Sequence, residues 1–279
     1  MDPDPDKRYF KTIPLALLFV IAGCRQIHGT DPQTDSLQNK IEYPVKTDPN
    51  TFIDPDTVGK RTLYLTFDDG PNKGTPTVIN ILKNEKVPAT FFLIGMHVKD
   101  MPVSKKWMPV LRAMPNVVLC NHSFTHGYKN CFNKFYADIP GSENDFKRCR
   151  DTVLFTNQIA RTPGNNIWRT PKFTQTTFER YKPACNNIKD SGFILIGWDA
   201  EWRYRSTKLV QSVDQMEKDI ETLYTDKENR CPNHCVLLMH DLTFNDVADS
   251  TNLQQLIHRF KENKLYRFDV VTNHPFVKR

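Results

Sequence analysis

From residue 61 onward, short apolar runs alternate with longer stretches whose apolar residues recur at helical spacing. Near-continuous apolar runs predict strands buried on both faces, and the intervening pattern predicts helices packed against them. Such alternation predicts the α/β class, with a parallel sheet or barrel. Strands are predicted over residues 62–67, 89–95, 116–120, 192–199, 235–241 and 266–272. Helices are predicted over residues 76–85, 142–160 and 207–224.

Local signals mark the starts of two of these helices. Thr75 is predicted as an N-cap, with Pro76 in the first turn, where a proline is tolerated because its missing N–H has no helical partner. Ser142 followed by Asp145 resembles a capping box at the start of the helix over residues 142–160.

Residues 1–24 predict a targeting segment. Lys7, Arg8 and Lys11 precede the apolar run IPLALLFVIAGC, which ends at Cys24. The run is shorter than the about 20 apolar residues that span a bilayer, so it predicts a cleavable signal peptide. Small residues directly before Cys24 are typical of a bacterial lipoprotein signal, with an ordinary secretory signal as the alternative. We therefore expect export to the periplasm or cell envelope, with a lipid on Cys24 as the only membrane attachment.

Residues 25–60 differ in composition from the rest of the chain. They are rich in Asp, Pro and Thr and sustain no hydrophobic period, which predicts a flexible tether. No internal repeat or second linker follows, so residues 61–279 are predicted to form one domain. The net charge of +6 is mild and the Lys and Arg residues are scattered, which argues against a nucleic acid partner. The sequence carries no signal for the oligomeric state.

Six of the seven cysteines lie in this predicted domain, an even number that predicts disulfides in an exported protein. Sequence alone does not choose among the many pairings. Cys231 with Cys235, and Cys131 with Cys149, are two plausible pairs. A metal knuckle that includes His234 of CPNHC is a weaker alternative, because no second ligand pair follows nearby.

Several ionisable side chains stand at the carboxyl ends of four predicted strands. They are Asp68 and Asp69, His122 and His126, Asp199, and His240. In a parallel α/β barrel the carboxyl ends of the strands share one face, where active sites form. These groups are therefore expected to converge on one site.

The spacing of His122 and His126 in HSFTH predicts a metal site. Residues four apart are neighbours on a helical turn, so both imidazoles could bind one ion. A carboxylate would complete a His/His/Asp set with an open position for water, a pattern typical of catalytic zinc. One of Asp68 and Asp69 would bind the cation, whose charge offsets their mutual repulsion, and the other would be a general base. A simple Asp-Gly-Pro turn is the alternative for this segment.

A general acid and its supporting groups are also present. His240 is the candidate to protonate a departing amine, since a neighbouring carboxylate would keep it protonated. Asp199 or Glu201, in GWDAEW, could be that carboxylate. Arg161, in RTPGNNIWR, could pair with Asp68 and hold it in position.

Five motifs resemble those of the polysaccharide deacetylases of the NodB-homology type, carbohydrate esterase family 4, over residues 61–273. In order they are TFDDGP, HSFTH, RTPGNN, WDAEW and LLMH. The resemblance implies a distorted (β/α) barrel with zinc, sometimes cobalt, as cofactor. It makes Asp68 the base, oriented by Arg161, and His240 the acid. It also implies that the metal ligands are Asp69, His122 and His126.

The resemblance also implies contacts to the substrate. Leu238 would line a pocket for the acetyl methyl group. The backbone N–H of Gly164, beside Pro163, would stabilise an oxyanion. The third motif often reads Arg-Pro-Pro-Tyr, so the aromatic wall at Gly164 is absent here, and Trp168 would fill that space.

The fourth motif also departs from the family pattern, since Glu201-Trp202 stands where Asp-Trp is common. Both Asp199 and Glu201 therefore stay open as the support of the catalytic histidine. Trp202, like Trp168 and Trp198, could stack on a sugar ring or pack the rim of the barrel.

The sequence as a whole predicts a metal-dependent hydrolase that removes N-acetyl groups from N-acetylglucosamine units of a glycan and releases acetate. The substrate would be a chitin-type oligosaccharide or peptidoglycan. The third and fourth motifs look more like those of exported chitin-oligosaccharide deacetylases than like those of typical peptidoglycan deacetylases. The alternatives are an O-deacetylase acting on a polysaccharide such as acetylated xylan, and a glycan-binding lipoprotein without turnover.

Overall fold

The strands of this protein form one curled sheet and a separate small hairpin. The computed structural model describes residues 61–225 and 230–278. The strands are β1 (Arg61–Gly70), β2 (Ala89–Leu93), β3 (Val117–Asn121), β4 (Ile159–Ala160), β5 (Trp168–Arg169), β6 (Thr174–Gln175), β7 (Ile194–Leu195), β8 (Ala200–Glu201), β9 (Tyr204–Arg205), β10 (Lys208–Leu209), β11 (His234–His240) and β12 (Tyr266–Phe268). The main sheet has the order β6-β5-β7-β4-β3-β2-β1-β11-β8, with β12 beside β1, and β9 pairs only with β10.

Helices fill the connections between these strands. They are α1 (Thr75–Glu85), α2 (Gly95–Asp100), α3 (Pro102–Ala113), α4 (His126–Asn130), α5 (Phe132–Ala137), α6 (Ile139–Val153), α7 (Lys182–Asp190), α8 (Val213–Thr225) and α9 (Val247–Glu262). Short 3-10 turns follow β11 and β12, at Asp241–Asn245 and Val271–Asn273.

The central strands β3, β2, β1 and β11 run parallel to one another. The sheet curls into a half-barrel, which confirms the predicted α/β fold of the distorted-barrel type. The described residues form one compact unit. Among them, no helix is both long and apolar enough to cross a membrane. The predicted signal peptide and tether, residues 1–24 and 25–60, lie outside the described residues.

Both faces of β1 are buried, as its near-continuous apolar sequence predicts. Leu65 and Phe67 pack in the large core between the sheet and the helices, whereas Tyr64 packs in a second core on the opposite, inner face. Successive side chains of a strand alternate between faces, so Thr66 and Asp68 continue the inner face towards the carboxyl end. The alternation of side chains along β1 thus places Asp68 on the inner face, at the open end of the half-barrel.

Both predicted helix starts differ from the observed ones. The helix predicted over residues 142–160 is α6, which begins at Ile139 because the Asp138 side chain accepts a hydrogen bond from the Gly141 N–H at 3.0 Å, and which ends at Val153. Thr75 is the first helical residue of α1 rather than its N-cap, a position that Gly74 occupies.

Two other predicted elements were shorter than expected. Residues 207–212 do not join a helix, since Lys208–Leu209 pairs with Tyr204–Arg205 as a hairpin and α8 begins at Val213. The strand over 192–199 is reduced to β7. The sequence reading also missed α3, α7 and α9, although α9 buries four apolar side chains against the core: Leu253, Leu256, Ile257 and Phe260.

The predicted cysteine pairings are not formed. Cys149 is a buried thiol whose Sγ donates to the Leu93 carbonyl oxygen at 3.6 Å. Cys235 is a fully buried thiol, and burial raises its pKa well above the usual value. Pairs of Cys131 with Cys149 and of Cys231 with Cys235 are therefore absent from the described structure.

Two histidines, the half-buried His234 and the fully buried His274, lie beneath the inner face of the sheet. His234 Nδ1 lies 2.8 Å from the Tyr64 hydroxyl, and the His274 ring packs 5.7 Å from the His234 ring. Burial lowers the pKa of His234 to about 4 and that of His274 to about 3. In the unfolded chain both imidazoles keep the ordinary histidine pKa of about 6.5. Between that pH and the lowered folded-state values, only the unfolded chain takes up protons on these rings. The free energy of unfolding is therefore highest above about pH 6.5 and falls as the pH falls.

We expect the free energy of unfolding to fall between pH 7.5 and 5, with His274 accounting for about 2 kcal/mol. Chemical denaturation at both pH values measures this difference. His274→Leu should reduce the difference, whereas His258→Asn, at an exposed histidine, should leave it unchanged. An equal pH dependence in wild type and His274→Leu would contradict the assignment.

Candidate active site

A bulge at the end of β1 brings two adjacent carboxylates to one side of the sheet. In a regular strand Asp68 and Asp69 would point to opposite faces. The register of β1 against β2 shifts between Asp68 and Gly70, and Asp69 has a φ of 71°. The bulge re-aims Asp69, and both carboxylates reach one imidazole. His122 Nε2 lies 3.6 Å from Asp68 Oδ2 and 3.3 Å from Asp69 Oδ1.

His122 and His126 meet through a left-handed turn, not through the helical turn expected from their spacing. His126 and Gly127 have φ values of 52° and 62°, and the left-handed backbone continues to the end of α4. The Thr125 side chain stabilises the turn by accepting a hydrogen bond from the Tyr128 N–H at 2.9 Å. The two imidazole centroids lie 5.1 Å apart, so the expected pair forms with a different backbone.

Hydrogen bonds set the tautomer of both imidazoles. His122 Nδ1 lies 3.0 Å from the Arg161 carbonyl oxygen, and His126 Nδ1 lies 2.5 Å from Asn130 Oδ1. These oxygens only accept, so each Nδ1 carries a proton and each neutral ring keeps a lone pair at Nε2. Both Nε2 atoms face Asp69 Oδ1, at 3.3 and 3.1 Å.

Three groups that present lone pairs to one another need a positive charge between them. Asp69 Oδ1 is buried, and no hydrogen-bond partner for it occurs in the described residues. The ligand atoms of Asp69, His122 and His126 all lie within 4.8 Å of one another. This donor set fits a divalent metal with nitrogen and oxygen ligands.

A proton can occupy this position when no metal is bound. Burial lowers the pKa of His126, but the Asp69 carboxylate, together with Asn130 and Asp68, raises that pKa overall. Binding of a cation would therefore displace a proton, which makes metal affinity dependent on pH.

Arg161 is fully buried and holds Asp68, as the sequence predicted. Its Nη1 donates to Asp68 Oδ1 and to Thr66 Oγ1, both at 2.8 Å, and its Nη2 donates to the Gly197 carbonyl oxygen at 2.8 Å. These contacts leave Asp68 Oδ2 directed towards His122. A buried charge pair with additional hydrogen bonds of this kind fixes the geometry of both partners.

His240 stands across from the carboxylates at the end of β11. It is paired with Asp68 in the β1–β11 ladder, and its Nε2 lies 3.8 Å from Asp69 Oδ2. The Tyr204 ring packs 4.7 Å from the imidazole. His240 Nδ1 has no hydrogen-bond partner within residues 61–225 and 230–278.

These groups open into one cavity of about 1090 Å³ at the carboxyl end of the sheet. The predicted site residues that line it are Asp68, Asp69, His122, His126, Gly164, Glu201, Leu238 and His240. The cavity lining also includes Phe132, Tyr204 and His97, none of which was predicted for the site. Phe132 carries no sequence signal that separates it from a core residue, Tyr204 lies in the unpredicted hairpin, and His97 is a single histidine outside the five motifs. His97 Nδ1 lies 2.7 Å from the Asp69 carbonyl oxygen.

Comparison with known proteins identifies the family. Residues 56–156 match the polysaccharide deacetylase family model. A peptidoglycan-N-acetylglucosamine deacetylase of Bacillus cereus is 30% identical over 220 residues, which cover 77% of this chain and 71% of that protein. This chain belongs to the polysaccharide deacetylase family. A chitooligosaccharide deacetylase of a Bradyrhizobium species is 43% identical over 74 residues, 25% of this chain and 31% of that protein.

A solved structure is similar to this polysaccharide deacetylase in fold. It is a CE4 esterase of Streptococcus mutans, with a TM-score of 0.56 and 22% identity, covering 77% of this chain and 88% of that one. The family relationship confirms that the protein is an enzyme of the predicted deacetylase class.

The deacetylase does not use Asp199 to support His240, contrary to one of the two predicted options. Asp199 Oδ1 pairs with Arg230 at 2.8 Å, and its Oδ2 accepts the Val236 N–H at 2.9 Å. Val236 precedes His240 by four residues, about 13 Å along a strand. Asp199 therefore binds the backbone of β11 at Val236 and not the imidazole of His240. Glu201 lines the cavity beside Leu238 but makes no hydrogen bond with His240 in the described structure.

Two predicted sugar-stacking residues of this deacetylase are core residues. Trp168 and Trp202 are each 1% exposed. Trp168 Nε1 donates to Asn166 Oδ1 at 3.0 Å, and Trp202 Nε1 donates to the Gln211 carbonyl oxygen at 3.0 Å. Their polar atoms are satisfied inside the fold, so neither ring is available to substrate. Trp198 is half-buried and lines the cavity.

The space beside Gly164 is filled by Phe132, not by Trp168 as predicted. Gly164 has a φ of 67°, and a Cβ placed there would lie 2.6 Å from Phe132 Cε2. The Phe132 ring also packs edge-on against His126 at 5.7 Å. Pro163, predicted to touch substrate, is buried, and its carbonyl oxygen accepts the Tyr136 hydroxyl at 2.7 Å.

Replacement of Arg161 by lysine should lower deacetylase activity by about 10- to 100-fold, because the branched donor set that orients Asp68 is lost. Steady-state kinetics of Arg161→Lys measures the loss. Arg169→Lys is the matched control, since Arg169 is equally buried and makes four hydrogen bonds that do not touch the site. Equal activity losses in both variants would show that Arg161 acts only through folding.

Proposed function

We propose that this protein removes N-acetyl groups from N-acetylglucosamine units of a glycan, releasing acetate, in a reaction that depends on a divalent metal. One observation carries the proposal. Asp68, fixed by Arg161, lies beside the Asp69, His122 and His126 donor set, with His240 on the other side. A base, a cation site and an acid thus face one cavity, and such a set can catalyse the hydrolysis of an amide.

The three donors Asp69, His122 and His126 would hold the ion. Zinc suits two imidazole nitrogens and one carboxylate with an open position, and cobalt accepts the same ligands. When bound, the ion supplies Lewis-acid polarisation of the acetyl carbonyl and lowers the pKa of water in the site.

Asp68 acts as the general base in this proposal. Its Oδ1 is engaged by Arg161, which leaves Oδ2 to take a proton from the attacking water. The water oxygen bonds to the carbonyl carbon of the acetamide. Gly164 is exposed and has a left-handed backbone, and its N–H is the candidate donor to the oxygen that gains negative charge.

His240 acts as the general acid. Its side chain is 16% exposed and faces the cavity across from Asp68. As the carbon–nitrogen bond breaks, protonated His240 gives its proton to the leaving amine. The products are acetate and a free amino sugar, and exchange with solvent restores both side chains. Leu238, which is 3% exposed, supplies an apolar wall for the acetyl methyl group.

The names of two relatives support the sugar unit. One is a peptidoglycan-N-acetylglucosamine deacetylase and the other a chitooligosaccharide deacetylase. N-acetylglucosamine is common to the two substrates, so the proposal specifies this unit and lets the experiment identify the polymer.

Purified full-length protein should release acetate from chitin oligosaccharides or peptidoglycan when zinc is present. A chelator should abolish release, and Asp68→Asn should lower the rate by at least about 10³-fold because the base is lost. Acetate is measured enzymatically, with acetylated xylan offered in parallel.

Each outcome of this assay has one meaning. Release only from acetylated xylan would replace N-deacetylation by O-deacetylation. In that reaction His240→Ala should cost less, because an alkoxide is a better leaving group than an unprotonated amine nitrogen and needs less help from an acid. Zinc and glycan binding without release from any substrate would establish the non-catalytic alternative.

We further propose that the enzyme is exported and held to a membrane by a lipid on Cys24. The charged and apolar segments before Cys24 support this proposal. Metabolic labelling with a radioactive fatty acid should mark the wild type and the control Cys120→Ala but not Cys24→Ala, as followed by immunoprecipitation. Equal labelling of wild type and Cys24→Ala would contradict the lipid anchor.

A further inference from the structure

Asp241 is a fully buried carboxylate with no role in the mechanism above. It follows His240 directly, at the point where β11 passes into a 3-10 turn. Its neighbour His240 points to the cavity, so Asp241 faces the other side of the sheet, towards α1. Burial raises the pKa of Asp241 to about 7, although hydrogen bonds from Thr75 and Asn72 oppose the rise. A carboxylate that is costly to bury needs specific partners.

The side chains that donate hydrogen bonds to Asp241 belong to the segment that follows Asp69. Asn72 Nδ2 donates to Asp241 Oδ1, and Thr75 Oγ1 donates to Asp241 Oδ2. The same segment is braced internally, because the Asn72 N–H donates to Thr75 Oγ1 at 2.7 Å and the Gly74 N–H donates to Asn72 Oδ1 at 2.9 Å.

The segment is also pressed onto Asp241. A Cβ at Gly70 would lie 2.7 Å from Asp241 Oδ2, and a Cβ at Gly74 would overlap the Asp241 backbone carbonyl. Both positions therefore require glycine for close approach. Asp241 thus packs against Gly70, the residue that follows Asp69. It also accepts hydrogen bonds from Asn72 and Thr75 further along the segment.

We infer that Asp241 is a positioning residue that locks the segment carrying Asp68 and Asp69 to the strand end carrying His240. The lock sets where Asp69 stands relative to His122 and His126, and how far both carboxylates stand from the acid. Its loss should loosen the cation site before any substrate binds. This inference rests on the proposed metal centre, but not on the identity of the glycan.

Zinc affinity of the full-length protein tests the inference without using activity. Competition against a chromophoric chelator should show Asp241→Asn and Thr75→Val binding zinc about 10- to 100-fold more weakly than wild type. Thr75→Ser, which keeps the hydroxyl donor, should bind zinc within about twofold of wild type.

Asp269→Asn separates positioning from general destabilisation. Asp269 is a buried carboxylate that accepts hydrogen bonds from Asn273 Nδ2 and the Val270 N–H, both at 2.8 Å, far from the cavity. The Asp269→Asn variant should lower the melting temperature as Asp241→Asn does, while its zinc affinity stays within about twofold of wild type.

Two results would overturn the inference. If Asp241→Asn, or Thr75→Val where the former does not fold, binds zinc as tightly as wild type, the network is only structural. If wild type itself binds no zinc, the proposed metal centre fails and the inference fails with it.

Discussion

The geometry of this site depends on one backbone constraint, the bulge that turns Asp69 out of the alternation of β1. Without it, adjacent carboxylates would lie on opposite faces of a buried sheet, one in the cavity and one against the helices. With it, a single strand end supplies both the proposed base, Asp68, and a proposed metal ligand, Asp69. The repulsion between the two is then countered from two directions, by Arg161 on Asp68 and by the cation site on Asp69.

The rest of the site is arranged to keep these two carboxylates distinct. Arg161 occupies one oxygen of Asp68 and fixes the other, while the two Nε2 atoms face Asp69. The Arg161 carbonyl oxygen contributes as well, since it sets the tautomer of His122 and so leaves His122 Nε2 to face Asp69. Arg161 thus orients Asp68 through its side chain and His122 through its main chain.

Topology explains why much of the site could be predicted from sequence. Asp68, His122 and His240 each follow a buried apolar strand, and parallel strands place their carboxyl ends together. The left-handed backbone at Asp69 and His126 could not be predicted, because neither residue is glycine and the turns depend on contacts made elsewhere. The tryptophans were ambiguous for a different reason. An aromatic ring serves a core or a sugar equally well, and only the satisfied N–H groups of Trp168 and Trp202 decide between them. The role of Asp199 depended on Arg230, a residue distant in sequence.

The left-handed turn at His126 has a consequence for how such a protein can be stabilised. Each non-glycine residue in that backbone region costs roughly 1–2 kcal/mol, so replacing the exposed Lys129 by glycine would relieve strain in the folded chain. The same change would widen the conformational range of the turn, and His126 would spend less time facing Asp69. Thermal stability and metal affinity therefore place opposite demands on this short segment. Evolution or engineering that improves one by this route weakens the other.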